Sequence, residues 1–193
     1  MIRHTKKSGF TLIELLVSMG LLVVMMSIVV ANYRNFGTNS KFASASEDVV
    51  LALREAQVYG VSTKGYTGGC GGTAYDCRFG VHFTSVSPDA NGFVLFVDVN
   101  DNRVYDAGTD TVMSQISWSN NISISNLLCG GMSCTSGKVS ITFKRPNPDT
   151  YIADPAVVIT DPGYDTASII LTDSSSGATA TVMISSAGQI SLN

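Results

Sequence analysis

Hydrophobic positions along the 193-residue chain follow three successive patterns. From Phe10 to Val30 they are almost continuous, and Glu14 is the one charge among them. From Phe42 through Ala45, Val49 and Leu53 to Ala56 they recur at spacings of three and four, while Glu47, Asp48, Arg54 and Glu55 fall largely elsewhere. That spacing predicts an amphipathic helix with one apolar stripe. Beyond Phe79 the period changes to two. Phe79, Val81 and Phe83 alternate with Gly80 and His82, Ile122 and Ile124 with serines, and Val139, Ile141 and Phe143 with Ser140, Thr142 and Lys144. Each of these reads as a half-buried strand.

Two further segments complete the pattern. Phe93 to Val97 is an unbroken apolar run, which predicts a strand covered on both faces. Ile169 to Leu171 and Ala180 to Ile184 flank Asp173-Ser-Ser-Ser-Gly177, a hairpin loop by composition. The fold class that follows is α+β: a long N-terminal helix over residues 10–60, packed by its second half on one antiparallel sheet formed by residues 61–193. Asn32 and the stretch Gly37-Thr38-Asn39-Ser40 predict a kink or partial unwinding between the two halves.

Length and charge give the first half a setting. Its 21 residues would span about 31 Å as a helix, close to the roughly 30 Å hydrocarbon core of a bilayer. Arg3, Lys6 and Lys7 precede it, with no acid to offset them. This asymmetry predicts that the first residues stay cytoplasmic and the remainder is exported, a single-pass chain with its C-terminal domain outside. A cleaved secretory signal fits less well, since the apolar run exceeds the usual h-region and Val29-Val30-Ala31 is a poor cleavage signal. Past residue 38, eight basic residues face every acid except Glu14, a net charge of about −6. So acidic a body has no footprint for sequence-independent nucleic-acid binding.

A plain anchor does not account for Glu14, because a carboxylate inside lipid costs about 2.5–3.5 kcal/mol on insertion scales. Lys6-Lys7-Ser8-Gly9-Phe10-Thr11-Leu12-Ile13-Glu14-Leu15-Leu16-Val17 resembles the type IV prepilin signal. The resemblance implies a leader over residues 1–9, cleaved by prepilin peptidase between Gly9 and Phe10. It implies N-methylation of Phe10 and a filament-assembly role for Glu14, which would meet the N-terminal ammonium of a neighbouring subunit. It also implies other pilin or pseudopilin subunits as partners. Such a buried pair specifies stagger more than it adds stability.

The four cysteines form two close pairs, Cys70 with Cys77 and Cys129 with Cys134, each in a glycine-rich stretch. In an exported body an even count argues for disulfides. Three connectivities are open; the local pairing is favoured, with zinc disfavoured by the wider first spacing. Loops this short are expected to staple surface excursions.

Asp98, Asn100, Asn102, Val104 and Asp106 place oxygen ligands as the opening of a calcium loop does. Arg103 then stands at the glycine position and Thr109 at that of the bidentate glutamate. The alternative is a polar hairpin whose Asn and Asp side chains bond to their own backbone. The same segment, followed by Asp106-Ala107-Gly108, resembles a loop of H-type pseudopilins and FimT-like pilins, as does Leu53-Arg54-Glu55-Ala56-Gln57 late in the helix. Some FimT-like pilins bind DNA through a C-terminal element with two arginines; Ala187 to Asn193 has neither.

Enzyme chemistry lacks parts. His4 lies in the leader, and His82 on the polar side of its strand is expected to face solvent. No second histidine supports nucleophilic catalysis. Lys144-Arg145 reads as a solvated strand end. Two functions remain: a structural pilin or pseudopilin subunit, or a minor tip subunit that presents its loops to a secreted substrate, a surface or DNA.

Overall fold

The computed structural model describes residues 9–62, 65–70, 75–119, 121–146, 150–157 and 163–193, except the side chains of residues 31–36 and 38. One helix, α1, runs from Leu12 to Val61 without interruption. The expected unwinding near Asn32 and Gly37 is therefore absent. Glycine in a helix interior costs only about 1 kcal/mol, and no proline removes a donor between Asn32 and Ser40, so the hydrogen-bond ladder continues.

The chain divides into two compact units, residues 1–40 and 41–193. In the first, every described side chain from Phe10 to Val30 is exposed, and Leu12–Val30 is long and apolar enough to cross a membrane. In the second, Phe42, Ala45, Val49, Leu53 and Ala56 are all buried, which confirms the apolar stripe. Gly60 ends that stripe for a steric reason. A Cβ there would lie 2.6 Å from both the Cβ and the carbonyl oxygen of Phe143, so only glycine lets the helix backbone approach the sheet.

Ten strands follow among the described residues: β1 Arg78–Thr84, β2 Gly92–Asp98, β3 Thr111–Ser117, β4 Ile122–Cys129, β5 Met132–Ser133, β6 Lys138–Phe143, β7 Thr150–Ala153, β8 Thr166–Asp173, β9 Thr179–Ser185 and β10 Ile190–Leu192. They form two five-stranded antiparallel sheets where one was expected. The first has the order β3-β2-β1-β6-β7 and the second β10-β9-β8-β4-β5. Alternation fixes which face of a strand is apolar but not which strand it joins, and the short link from β3 to β4 carries the chain into the second sheet. Both sheets send side chains into one core: Val81, Phe83, Phe93 and Ile141 from the first, Ile124, Leu127, Ile169 and Val182 from the second, with the α1 stripe.

The run Phe93 to Val97 is covered on both faces, as its composition required. Phe93 and Leu95 join the main core, whereas Phe96 packs on Tyr105 with ring centroids 5.1 Å apart. A register shift between Leu95 and Phe96 opposite β3 accompanies this change of face. The β8–β9 hairpin also forms, and Asp173 accepts the Ser175 N–H at 2.9 Å and the Ser176 hydroxyl at 2.7 Å.

Candidate processing and assembly site

Gly9 and Phe10 precede the helix and are exposed, with open space around Gly9. Thr11 starts the helix. Its Oγ1 accepts the backbone N–H of Glu14 at 3.3 Å, and its carbonyl accepts the Leu15 N–H at 3.2 Å. The Thr11 hydroxyl also donates to Glu14 Oε2 at 3.5 Å. Thr-x-x-Glu is the sequence of a capping box, in which a threonine at the N-cap satisfies an orphan amide of the first turn. A carboxylate in that turn also complements the helix dipole. Further along, Ser18 donates its hydroxyl to the Glu14 carbonyl. The Gly9–Phe10 bond thus lies in exposed, non-helical backbone just before a capped helix. Arg3, His4, Lys6 and Lys7 fall outside the described residues.

Residues 4–30 match the family model described as Prokaryotic N-terminal methylation motif. This motif supports a type IV pilin-like chain and substrate of prepilin peptidase. No curated protein and no solved structure matches the chain. With the apolar helix, the motif is consistent with membrane anchoring and filament assembly and points to a structural subunit.

The cysteines pair locally, Cys70 with Cys77 and Cys129 with Cys134, at Cα separations of 5.1 and 5.2 Å. They are more than surface staples. All four are buried: Cys129 and Cys134 join the main core, while Cys70 and Cys77 pack with Phe79 and Val97 in a smaller one.

The acidic loop draws together the residues singled out for calcium, and they satisfy one another. Asp98 is fully buried; its Oδ1 accepts the Asn102 N–H at 3.2 Å and its Oδ2 the Arg103 N–H at 2.7 Å. The Val104 N–H donates to Asn102 Oδ1 at 2.9 Å, and Asn100 donates its amide to Asp106 Oδ2 at 3.2 Å. Asp110, two residues past the Gly108 turn, accepts the N–H groups of Val99 at 3.0 Å and Asp106 at 2.8 Å. Arg103, at the glycine position of a calcium loop, adopts φ +72°, so the backbone takes the left-handed turn without glycine. Burial pushes the Asp98 carboxyl up, against the Arg103 N–H, and the charge of Asp110 adds to the rise. Among the described residues, no three acidic, histidine or cysteine side chains form a metal-binding group.

This loop also corrects the placement of His82. Tyr105 folds over the outer face of the first sheet, its ring 5.1 Å from that of His82, and its N–H donates to Ser140 Oγ at 3.1 Å. His82 Nδ1 meets the same Oγ at 2.9 Å. His82 is therefore buried rather than solvent-facing, and burial, with a smaller push from Lys138, lowers its pKa to about 4. Beside it opens a trough of about 720 Å³ that includes Asp89, Asp106, Gln115 and Lys138.

Lys144 is no free cation either. Its Nζ lies 2.8 Å from Asp101 and 3.6 Å from Asp76, and Arg78 Nε lies 3.1 Å from the same Asp101. Burial raises the Asp101 carboxyl, but the hydrogen bonds from Lys144 and Arg78 outweigh it and hold the group below its usual range.

Proposed function

We propose that this chain is a pilin or pseudopilin subunit, held in the inner membrane by Leu12–Val30 until it joins a type IV pilus or a type II secretion pseudopilus. Prepilin peptidase removes residues 1–9 and methylates Phe10. The observation that carries this reading is the methylation motif running directly into an exposed apolar helix capped at Thr11, with Glu14 in its first turn. In the filament the apolar surface exchanges lipid for neighbouring helices, and Glu14 pairs with the Phe10 ammonium of an adjacent subunit. Only a correctly staggered neighbour offsets the desolvation of both charges. The resemblance of the loop Asp98–Asp106 and the helix segment Leu53–Gln57 to those of H-type pseudopilins and FimT-like pilins supports reading the chain as a subunit of that kind.

The test is Gly9→Val, which puts a β-branched side chain at the scissile position. The variant is expected to reach the membrane, keep its leader and yield no filaments; normal filaments from it would refute the reading. A second reading, a minor subunit that presents a binding surface, draws on the polar trough beside His82. Scarcity of the chain in sheared filaments, relative to a major subunit, supports that reading.

A further inference from the structure

On the face of α1 opposite the buried stripe, Ser44, Leu51 and Val58 recur at intervals of seven, and so do Glu47, Arg54 and Val61. All six are exposed, with Leu51 at 61% and Val58 at 62% exposure, although the opposite face of the same helix segment is buried. Spacings of alternately three and four make these positions one seam, the arrangement by which two helices pack side by side. Neither Glu47 nor Arg54 has an ion-pair partner among the described residues.

We infer that this seam is an interface between copies of this chain, with Glu47 of one copy paired to Arg54 of the next, displaced by seven residues. The inference rests on the filament reading. Two copies anchored through Leu12–Val30 enter from the same side of the membrane, so their helices run parallel. Parallel helices in register set Glu47 against Glu47 and Arg54 against Arg54, which repel. A displacement of seven residues, about 10 Å along the axis, replaces both repulsions with one attraction. The same shift lays Leu51 of one copy against Val58 of its neighbour, so one apolar match coincides with the charged one. Unlike the Glu14 contact, this pair lies in the amphipathic half of the helix. It fixes the stagger of the exported parts, where water screens charges and the pair adds specificity more than affinity.

The experiment is a charge exchange in full-length chain expressed in an assembling host. Glu47→Arg and Arg54→Glu alone are each expected to lower the yield of sheared filaments roughly tenfold, because every contact along the filament turns repulsive. The double exchange is expected to restore it. A second measurement uses Glu47→Cys with Arg54→Cys: oxidation is expected to give a ladder of cross-linked oligomers from the double variant and none from either single one. Rescue or the ladder supports the pairing. Single reversals that assemble normally, or a Glu47→Cys variant that cross-links to itself, overturn it. Filaments missing from the wild type would count against the filament reading itself, separately from the seam.

Discussion

Thr11 holds the backbone N–H of Glu14 with its hydroxyl, so the residue that caps the helix and the carboxylate that follows form one unit. Glu14 stabilises the first turn in the isolated chain, and the proposed filament reading gives it a second task, marking where a neighbour must sit.

The two tasks separate by substitution. Glu14→Ala leaves the Thr11 cap and is expected to be processed at the same bond while failing to assemble. Thr11→Ala removes the cap, a loss of about 1 kcal/mol, and is expected to fray the first turn without abolishing assembly. N-terminal sequencing and filament yield distinguish them; an assembled Glu14→Ala filament would contradict the registration role.

Burial of His82 makes stability depend on pH. The unfolded imidazole takes up its proton near pH 6.5, while the folded one resists until about 4. Stability is therefore complete above the unfolded value and falls as pH drops from 6.5 toward 4, by about 3 kcal/mol for this group. Asp98 and Asp110 act with the opposite sign, since their raised carboxyls let the native state take up protons first. The difference between wild type and His82→Asn isolates the histidine: chemical denaturation in detergent is expected to show a shallower pH slope for the variant. Identical slopes would mean that His82 is hydrated in the native state.

Asp154 joins the two sheets. It follows β7 and is fully buried, and its carboxylate accepts the N–H groups of Thr135 at 2.5 Å and Ala156 at 3.0 Å and the Ser136 hydroxyl at 2.5 Å. Burial pushes this carboxyl up, but those hydrogen bonds outweigh the push and hold it below the ordinary range. Asp154→Ala leaves the N–H groups of the β5–β6 connection without their acceptor and is expected to cost about 1–3 kcal/mol, read as a lower denaturation midpoint. The loss should be full at neutral pH and shrink as pH falls through the native carboxyl pKa.

The acidic loop closes through its own N–H groups, so the protein is expected to melt at the same temperature in calcium and in chelator. A higher melting temperature in calcium would show that the cation displaces Arg103 and Asn102 from Asp98.

Elements written in a local pattern were legible in the sequence. Phe42 to Ala56 gave a helix face, Phe79 to Phe83 a strand, and Asp173 to Gly177 a turn, because each depends on residues a few positions apart. The processing motif was legible for the same reason, being a dozen contiguous residues. What escaped depends on distant partners. His82 reads as exposed until Tyr105, more than twenty residues later, folds over it. Lys144 reads as part of a solvated strand end until Asp101 and Asp76 arrive from other loops. Asp154 carried a weak local signal, since an aspartate two residues before Ala156 can form an Asx-turn, but its link to Ser136 requires the tertiary fold. The division into two sheets had no local signal, because alternation names a face and not a neighbour.

The central claim is that maturation cuts this chain between Gly9 and Phe10. Intact-mass and N-terminal fragment spectra of the protein purified from membranes or filaments test it most directly. The account predicts a mature chain of residues 10–193 that begins with N-methylphenylalanine. A chain that begins at Asn32, or one that keeps Met1 to Gly9 in cells with active prepilin peptidase, would contradict it.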